Sequence, residues 1–212
     1  MRRISLFGLV TCSLVAVTAS ANPKPTTQAC LGDFKTFLTC PPGATVQNGA
    51  CRVTEPNRGQ APGEHWSGSQ RQGPALFLRD SNERDPAKVR VSFAANYKNH
   101  KKTGRVFHFD KEGRLESWTD VDGDRYHGLS VTCLPDGRVS HLGYYKQNKV
   151  VGISRSWRTK DGTFSYAMDH DANGRSIPID KPSAALMQRP DHLCQPARCD
   201  VNAKPDLSGV PK

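Results

Sequence analysis

Between residues 97 and 170, polar and apolar positions alternate in short runs separated by glycine. Leu129, Val131 and Cys133 fall on one side of such a run, with Ser130 and Thr132 on the other. Ile153, Arg155 and Trp157 share a side, as do Phe107 and Phe109, and Phe164 and Tyr166. Period-two alternation predicts β-strands rather than helices, because successive side chains on a strand point to opposite faces. The runs end at Glu112-Gly113, Asp136-Gly137 and Asp161-Gly162. Asp-Gly dipeptides supply the positive φ of primed hairpin turns, so antiparallel pairing through tight turns is expected.

The hairpins repeat. Gly104, Gly128 and Gly152 are 24 residues apart, Gly113 and Gly137 likewise, and Gly162 follows 25 later. Tyr97-Lys98-Asn99-His100-Lys101-Lys102-Thr103-Gly104 parallels Tyr145-Lys146-Gln147-Asn148-Lys149-Val150-Val151-Gly152, and Val121–Gly128 lies between them at the same length. One such unit cannot bury its own apolar face, so a fixed period predicts stacked units with end caps. The expected fold is all-β: an up-and-down antiparallel meander growing by one hairpin per repeat. Each repeated glycine marks a strand bend or a close backbone approach, since an interior strand glycine otherwise weakens a sheet. Upstream, Gly73–Leu78 and Lys88–Phe93 read as a decayed unit with an insertion, and Asn173-Gly174 marks one more turn before Pro178. The repeat domain therefore spans 61–180, clearest over 97–168. A Cys- and Pro-rich segment at 22–60 and a Pro-rich tail at 181–212 lack the period, and Ser183–Arg189, after Pro182, is the one stretch expected to be helical.

These units resemble the MORN repeat, a β-hairpin built on Tyr-x-Gly and Gly-x-x-His-Gly, and more closely its antitoxin-type bacterial variant. The residues that match are Asp122-Gly123-Asp124-Arg125-Tyr126-His127-Gly128 and the two tyrosine-led units above. Only one unit keeps His-Gly. The resemblance implies a single-layer meander with a scaffold or interaction role and no catalytic residues.

The ends of the chain point to export. Met1-Arg2-Arg3 precedes an apolar run from Ile4 to Thr18, and Ala19-Ser20-Ala21 forms a signal-peptidase site, so 1–21 reads as a leader and the mature chain begins at Asn22. The rival is a lipoprotein anchor at Cys12. The run is shorter than a membrane span, and no second one follows. Beyond the leader lie six cysteines: Cys30, Cys40, Cys51, Cys133, Cys194 and Cys199. An even number in an oxidising compartment reads as up to three disulfides whose pairing the sequence leaves open, stapling the terminal segments to the β body. A zinc site from His192, Cys194 and Cys199 is the alternative. The expected location is periplasmic or secreted.

Composition narrows the function. Eighteen glycines and 15 prolines in 212 residues, with 36% hydrophobic content, exclude a coiled coil, a polytopic membrane protein and a large parallel-sheet enzyme. The formal charge is +10. Lys98, Lys101, Lys102 and Arg105 cluster at one repeat junction, and Lys146 and Lys149 recur at equivalent places, so stacking would align them into a basic stripe. The stripe either protects the sheet edge and aids solubility or attracts a protein or an anionic envelope component; an exported protein meets little nucleic acid. Tyr97, Trp118, Tyr144, Tyr145, Trp157 and Tyr166 are candidate solvent-facing anchors, weighed against ordinary sheet packing. With Lys101 and Lys149 they make up the expected contact surface.

Catalytic signatures are few. There is no nucleophile elbow, no His-Glu-x-x-His and no phosphate-cradling loop before a helix. Asp169-His170-Asp171-Ala172-Asn173-Gly174, followed by Asp180, has calcium-loop spacing but is explained equally by a hairpin turn. The reading is a binding scaffold without catalytic residues, cofactor or metal; an envelope hydrolase or a calcium-dependent module is the alternative.

Overall fold

The computed structural model describes residues 26–32, 37, 44–47, 50–53, 66–67, 70–71, 73–79, 90–98 and 101–211. The expected leader and Cys40 lie outside these residues. A short helix, α1 (Thr27–Leu31), precedes two small hairpins, β1 (Ala44–Gln47) with β2 (Ala50–Val53, which carries Cys51) and β3 (Trp66–Ser67) with β4 (Gln70–Arg71). Nine strands then form one antiparallel sheet in unbroken chain order: β5 (Gly73–Leu78), β6 (Val91–Lys98), β7 (Lys101–Phe109), β8 (Leu115–Asp122), β9 (Arg125–Cys133), β10 (Val139–Lys146), β11 (Lys149–Trp157), β12 (Phe164–His170) and β13 (Ser176–Pro178). This is the expected meander. A second helix, α2 (Ala184–Met187), is capped by the Ser183 hydroxyl, which accepts the Leu186 N–H, as the Pro-Ser-Ala-Ala sequence suggests.

The turns differ from expectation at one end of the sheet. Asp110–Arg114, Leu134–Arg138, Arg158–Thr163 and Asp171–Arg175 are not primed turns. Only the glycine has positive φ in each (Gly113, Gly137, Gly162 and Gly174). In the first, Gly113 N–H donates to the Asp110 carbonyl, Asp110 N–H donates to Arg114, and the Asp110 carboxylate accepts the Glu112 and Arg114 N–H groups. A carboxylate that closes on N–H groups two and four residues ahead holds the intervening residues right-handed and leaves one left-handed site, filled by glycine. The primed two-residue turns are Gly123-Asp124 and Gln147-Asn148, where both residues have positive φ.

The two faces are unlike. One carries Leu76, Ala94, Phe107, Phe109, Trp118, Leu129, Val131, Cys133, Leu142 and Trp157, which form the main core with Cys30 and Leu31 of α1 and Leu193, Cys194 and Val201 of the C-terminal segment. The other holds a smaller cluster of Ala75, Ala95, Tyr97, Val106 and Val121, with Phe77 stacked on Phe93 at 3.9 Å. Phe164 and Tyr166, expected to share a side, are split by a register shift: Phe164 packs edge-on against Trp157, whereas Tyr166 pairs with Ser156 and is exposed.

The C-terminal segment lies across the main-core face. Disulfides join Cys133 to Cys194 and Cys30 to Cys199. Val139 N–H donates to Asp191, and the Trp118 and Trp157 indoles donate to the Leu193 and Met187 carbonyls at 2.9 and 3.0 Å. From Val201 onward the chain passes over the repeated glycines in turn. A Cβ on Gly104 would collide with the Val201 carbonyl, one on Gly128 would fall 3.1 Å from Pro205 Cβ, and one on Gly152 would collide with the Gly209 carbonyl. The glycines sit in matching bulges: Ala94 pairs with Phe107 and Asn96 with Thr103, as Leu142 pairs with Arg155 and Tyr144 with Val151, so each glycine strand carries two extra residues there.

Candidate binding face and turn edge

The aromatic anchors divide sharply. Trp118 and Trp157 are 1% and 4% exposed and Tyr97 is 3% exposed, so none of the three is a surface anchor. An indole buried on a core face needs an acceptor for its N–H, and the C-terminal segment supplies one to each tryptophan. Tyr144 faces the same segment: its ring lies against Gly209 and its hydroxyl bonds Ser208 at 3.2 Å. Tyr145 stays half-buried on the opposite face, where Tyr126 meets it edge-on at 5.4 Å. Burial and the Tyr126 phenol hold the Tyr145 hydroxyl above its ordinary pKa. Tyr126 and Tyr166 are each 47% exposed. Tyr126 is the aromatic that sequence reasoning passed over, although it sits in the best-matching unit.

The β8–β9 and β10–β11 turns lie at one end of the sheet, and each bonds to the start of the strand two places before it, β7 or β9. Asp124 N–H donates to the Lys102 carbonyl (3.2 Å) and the Asp124 carboxylate accepts Lys102 N–H (2.9 Å). Twenty-four residues on, Asn148 N–H donates to the Tyr126 carbonyl (2.9 Å) and its side-chain oxygen accepts Tyr126 N–H (2.7 Å). A short oxygen-bearing residue that tolerates positive φ is what this reciprocal clasp requires. The recurrence of Asp and Asn 24 residues apart was its signal in the sequence.

The clasp brings Lys98, Lys101, Lys102, Arg125, Lys146 and Lys149 to one edge, together with Asp122 and Asp124. Lys101 and Lys149 are exposed; Lys102 pairs with Asp124 at 3.4 Å and Arg125 donates to Gln147 at 2.6 Å. Arg105 does not belong to this edge. It is buried, donates to the fully buried Asp120 at 2.8 Å, lies 3.8 Å over the Trp118 ring and donates to the Arg198 carbonyl. The middle hairpin thus puts acids between two lysine-bearing turns, and the stripe is two basic clusters rather than a continuous line.

The face away from the C-terminal segment becomes polar from β8 to β12. Thr119 bonds Ser130 (2.7 Å), His141 Nδ1 bonds Ser156 (2.7 Å), and His170 bonds Ser154 through Nε2 (2.7 Å) and Ser176 through Nδ1 (2.8 Å). Burial, with His170 nearby, lowers the His141 pKa from its ordinary value. Serine–histidine contacts are a component of nucleophilic catalysis. Here the third partner of His170 is a hydroxyl, and no carboxylate hydrogen-bonds to either ring among the described residues.

The metal alternatives fare unequally. Cys194 and Cys199 are both in disulfides, which removes the thiolates a zinc site with His192 would use. In the calcium-like string, Asp171 turns its carboxylate onto the N–H groups of Asn173 and Arg175, the bonding that Asp110 shows in its own turn. No group of three or more His, Cys, Asp and Glu side chains is placed to hold a metal ion among the described residues.

No family model matches the chain, and no curated protein does either. No helix among the described residues is long and apolar enough to cross a membrane, and the two disulfides fit an oxidising compartment.

Proposed function

We propose that this chain is an exported, non-catalytic, MORN-like β-repeat scaffold that binds a protein or an anionic envelope component through its clasped turn edge. One observation carries the reading: the β8–β9 and β10–β11 turns are each tied to the neighbouring hairpin by reciprocal backbone and side-chain bonds, and Lys101, Lys149, Arg125 and the Tyr126–Tyr145 pair stand on that border. A preorganised border costs less ordering on association than lysines on free loops. The Tyr126 ring supplies apolar contact area and the lysines supply long-range attraction.

The test is cosedimentation with vesicles of phosphatidylglycerol against vesicles of phosphatidylcholine, at low and at physiological salt. Each lysine close to an anionic surface contributes about 1 kcal/mol, so replacing Lys101 and Lys149 with alanine should weaken phosphatidylglycerol retention roughly thirtyfold. A salt-insensitive partner captured through Tyr126 would point to the protein arm of the proposal. Retention unchanged by the double substitution and by Tyr126→Ala would reduce the edge to solvated surface.

A further inference from the structure

The C-terminal strap shows a recognition pattern that the turn edge does not use. Gly104, Gly128 and Gly152 are 24 residues apart in the chain and stand on every second strand of the sheet; Val201, Pro205 and Gly209, which lie against them, are four residues apart. Two strand spacings amount to about 9.6 Å, and four fully extended residues reach about 13 Å. The strap closes the difference with tight turns, Ala203 N–H to Asp200 and Val210 N–H to Leu207. A second row of sheet residues, eight positions before each glycine, also meets the strap. Asn96 donates to Asn202 (2.9 Å), Asp120 accepts Asp206 N–H (2.8 Å), and Tyr144 bonds Ser208. Each repeat therefore reads about four residues of crossing chain with the same two positions.

The hold on the strap changes along its length. Leu193, Cys194 and Val201 are buried, and both described disulfides lie before residue 200. From Asn202 to Pro211 no side chain is buried; Asn202, Lys204 and Ser208 are exposed and Leu207 is 45% exposed. Asn96 keeps its own side-chain oxygen buried without a partner among the described residues. A segment held by a few hydrogen bonds and no buried apolar side chain opens at far lower cost than the strands beneath it.

We propose that the glycine bulges at Gly128 and Gly152 form a peptide-binding groove, occupied in this chain by its own residues 202–211. Its partner is a segment of another protein that turns between contacts and so sets backbone or a small ring against the sheet at every fourth residue. The occupant itself shows what fits: a proline ring at Gly128 and a glycine at Gly152, where the Tyr144 ring leaves no room for a Cβ. A second copy of this chain is a poor source. Its Val201 is two residues from Cys199, which is tied to its own Cys30, and two residues reach only about 7 Å.

The experiment keeps the full chain and evicts the strap with Gly209→Val, whose side chain collides with Tyr144. A fluorescent synthetic peptide of residues 200–212 is titrated into the oxidised wild type and into the variant, with anisotropy as the readout. A tethered strap competes at an effective concentration of about millimolar, so the variant should bind the peptide at least about tenfold more tightly than wild type. It should also reject the same peptide carrying Gly209→Val. No saturable binding to the variant, equal binding of the two peptides, or concentration-dependent self-association that takes up the strap would overturn the proposal. If the variant does not fold, amide exchange on the wild type decides. Asp206 N–H should exchange at least about a hundredfold faster than Val131 N–H under native conditions, whereas equal rates would mean the strap leaves only on global unfolding and would defeat it.

Discussion

Replacing a repeated glycine separates the two reasons the structure offers for its presence. Gly174 and Gly128 both have positive φ, +85° and +118°. An alanine Cβ on Gly174 would meet nothing within 4 Å, whereas on Gly128 it would lie 2.9 Å from Asp120 Cβ and 3.1 Å from both Asp120 Oδ2 and Pro205 Cβ. Gly174→Ala therefore measures conformational strain alone. That strain is about 1–2 kcal/mol, partly offset by about 0.4–1 kcal/mol of lost unfolded-state freedom. Gly128→Ala carries the same two contributions and adds overpacking against a buried carboxylate and the strap, about 1–3 kcal/mol more. The assay is urea unfolding with the disulfides intact, followed by the fluorescence of Trp118 and Trp157. Gly174→Ala should cost about 1 kcal/mol and Gly128→Ala about 2–4 kcal/mol. If the two losses agree within about 0.5 kcal/mol, the strap does not press on Gly128 and the close-packing argument for the glycine row is wrong.

Asp120→Ala should cost about 3–5 kcal/mol by leaving Arg105 buried without its partner, with Asp120→Asn intermediate; the same unfolding titration measures both, and a loss below that of Asn would contradict the pairing. The histidine pair predicts a pH dependence. Burial and His170 hold His141 below its ordinary value, so the unfolded chain takes up the proton first. Stability is then full above the unfolded value of about 6.5 and falls as pH drops from there toward the folded value. His141→Gln should flatten the slope of melting temperature against pH in that window, and an unaltered slope would assign the dependence elsewhere. Peptide mapping of the chain without reduction should recover Cys30–Cys199 and Cys133–Cys194; an alkylatable Cys133 would refute the staple.

The strands of the nine-stranded sheet, their order and the 24-residue glycine period are legible in the sequence, because period-two alternation and turn dipeptides act over a few residues; the hairpins β1–β2 and β3–β4 are not. Two further features are not. The turn geometry was misassigned, since Asp-Gly fits a primed turn until an aspartate reaching forward to the backbone, as Asp110 does, takes the residues before the glycine right-handed. The tryptophans stay open between surface anchor and sheet packing in the sequence because alternation tells which residues share a face but not which face is covered. That depended on residues 183–211, whose prolines, serines and lone apolar positions carry no periodic signal. They dock mostly by backbone groups, such as the Val201 carbonyl that accepts Arg105 N–H and the Asp206 N–H that donates to Asp120. A contact made by backbone leaves little trace in side-chain pattern. The same limit concealed Arg105, a lysine-cluster neighbour in the chain that the fold turns inward.

The disulfide between Cys30 and Cys199 closes a loop of sequence separation 169 around the whole sheet. Array proteins whose units touch only their neighbours tend to grow and fray from either end. Here residues downstream of all the strands cover Trp118 and Trp157, and the first strands wait for them. A chain emerging from its N-terminus carries a finished row of hairpins with one oily side open to water until about residue 194 is available. Long-range closure of this kind is slow and leaves the unfinished sheet prone to association. The repeats are modular in sequence, but the molecule completes its fold only when α1 and the segment around Cys199 have met.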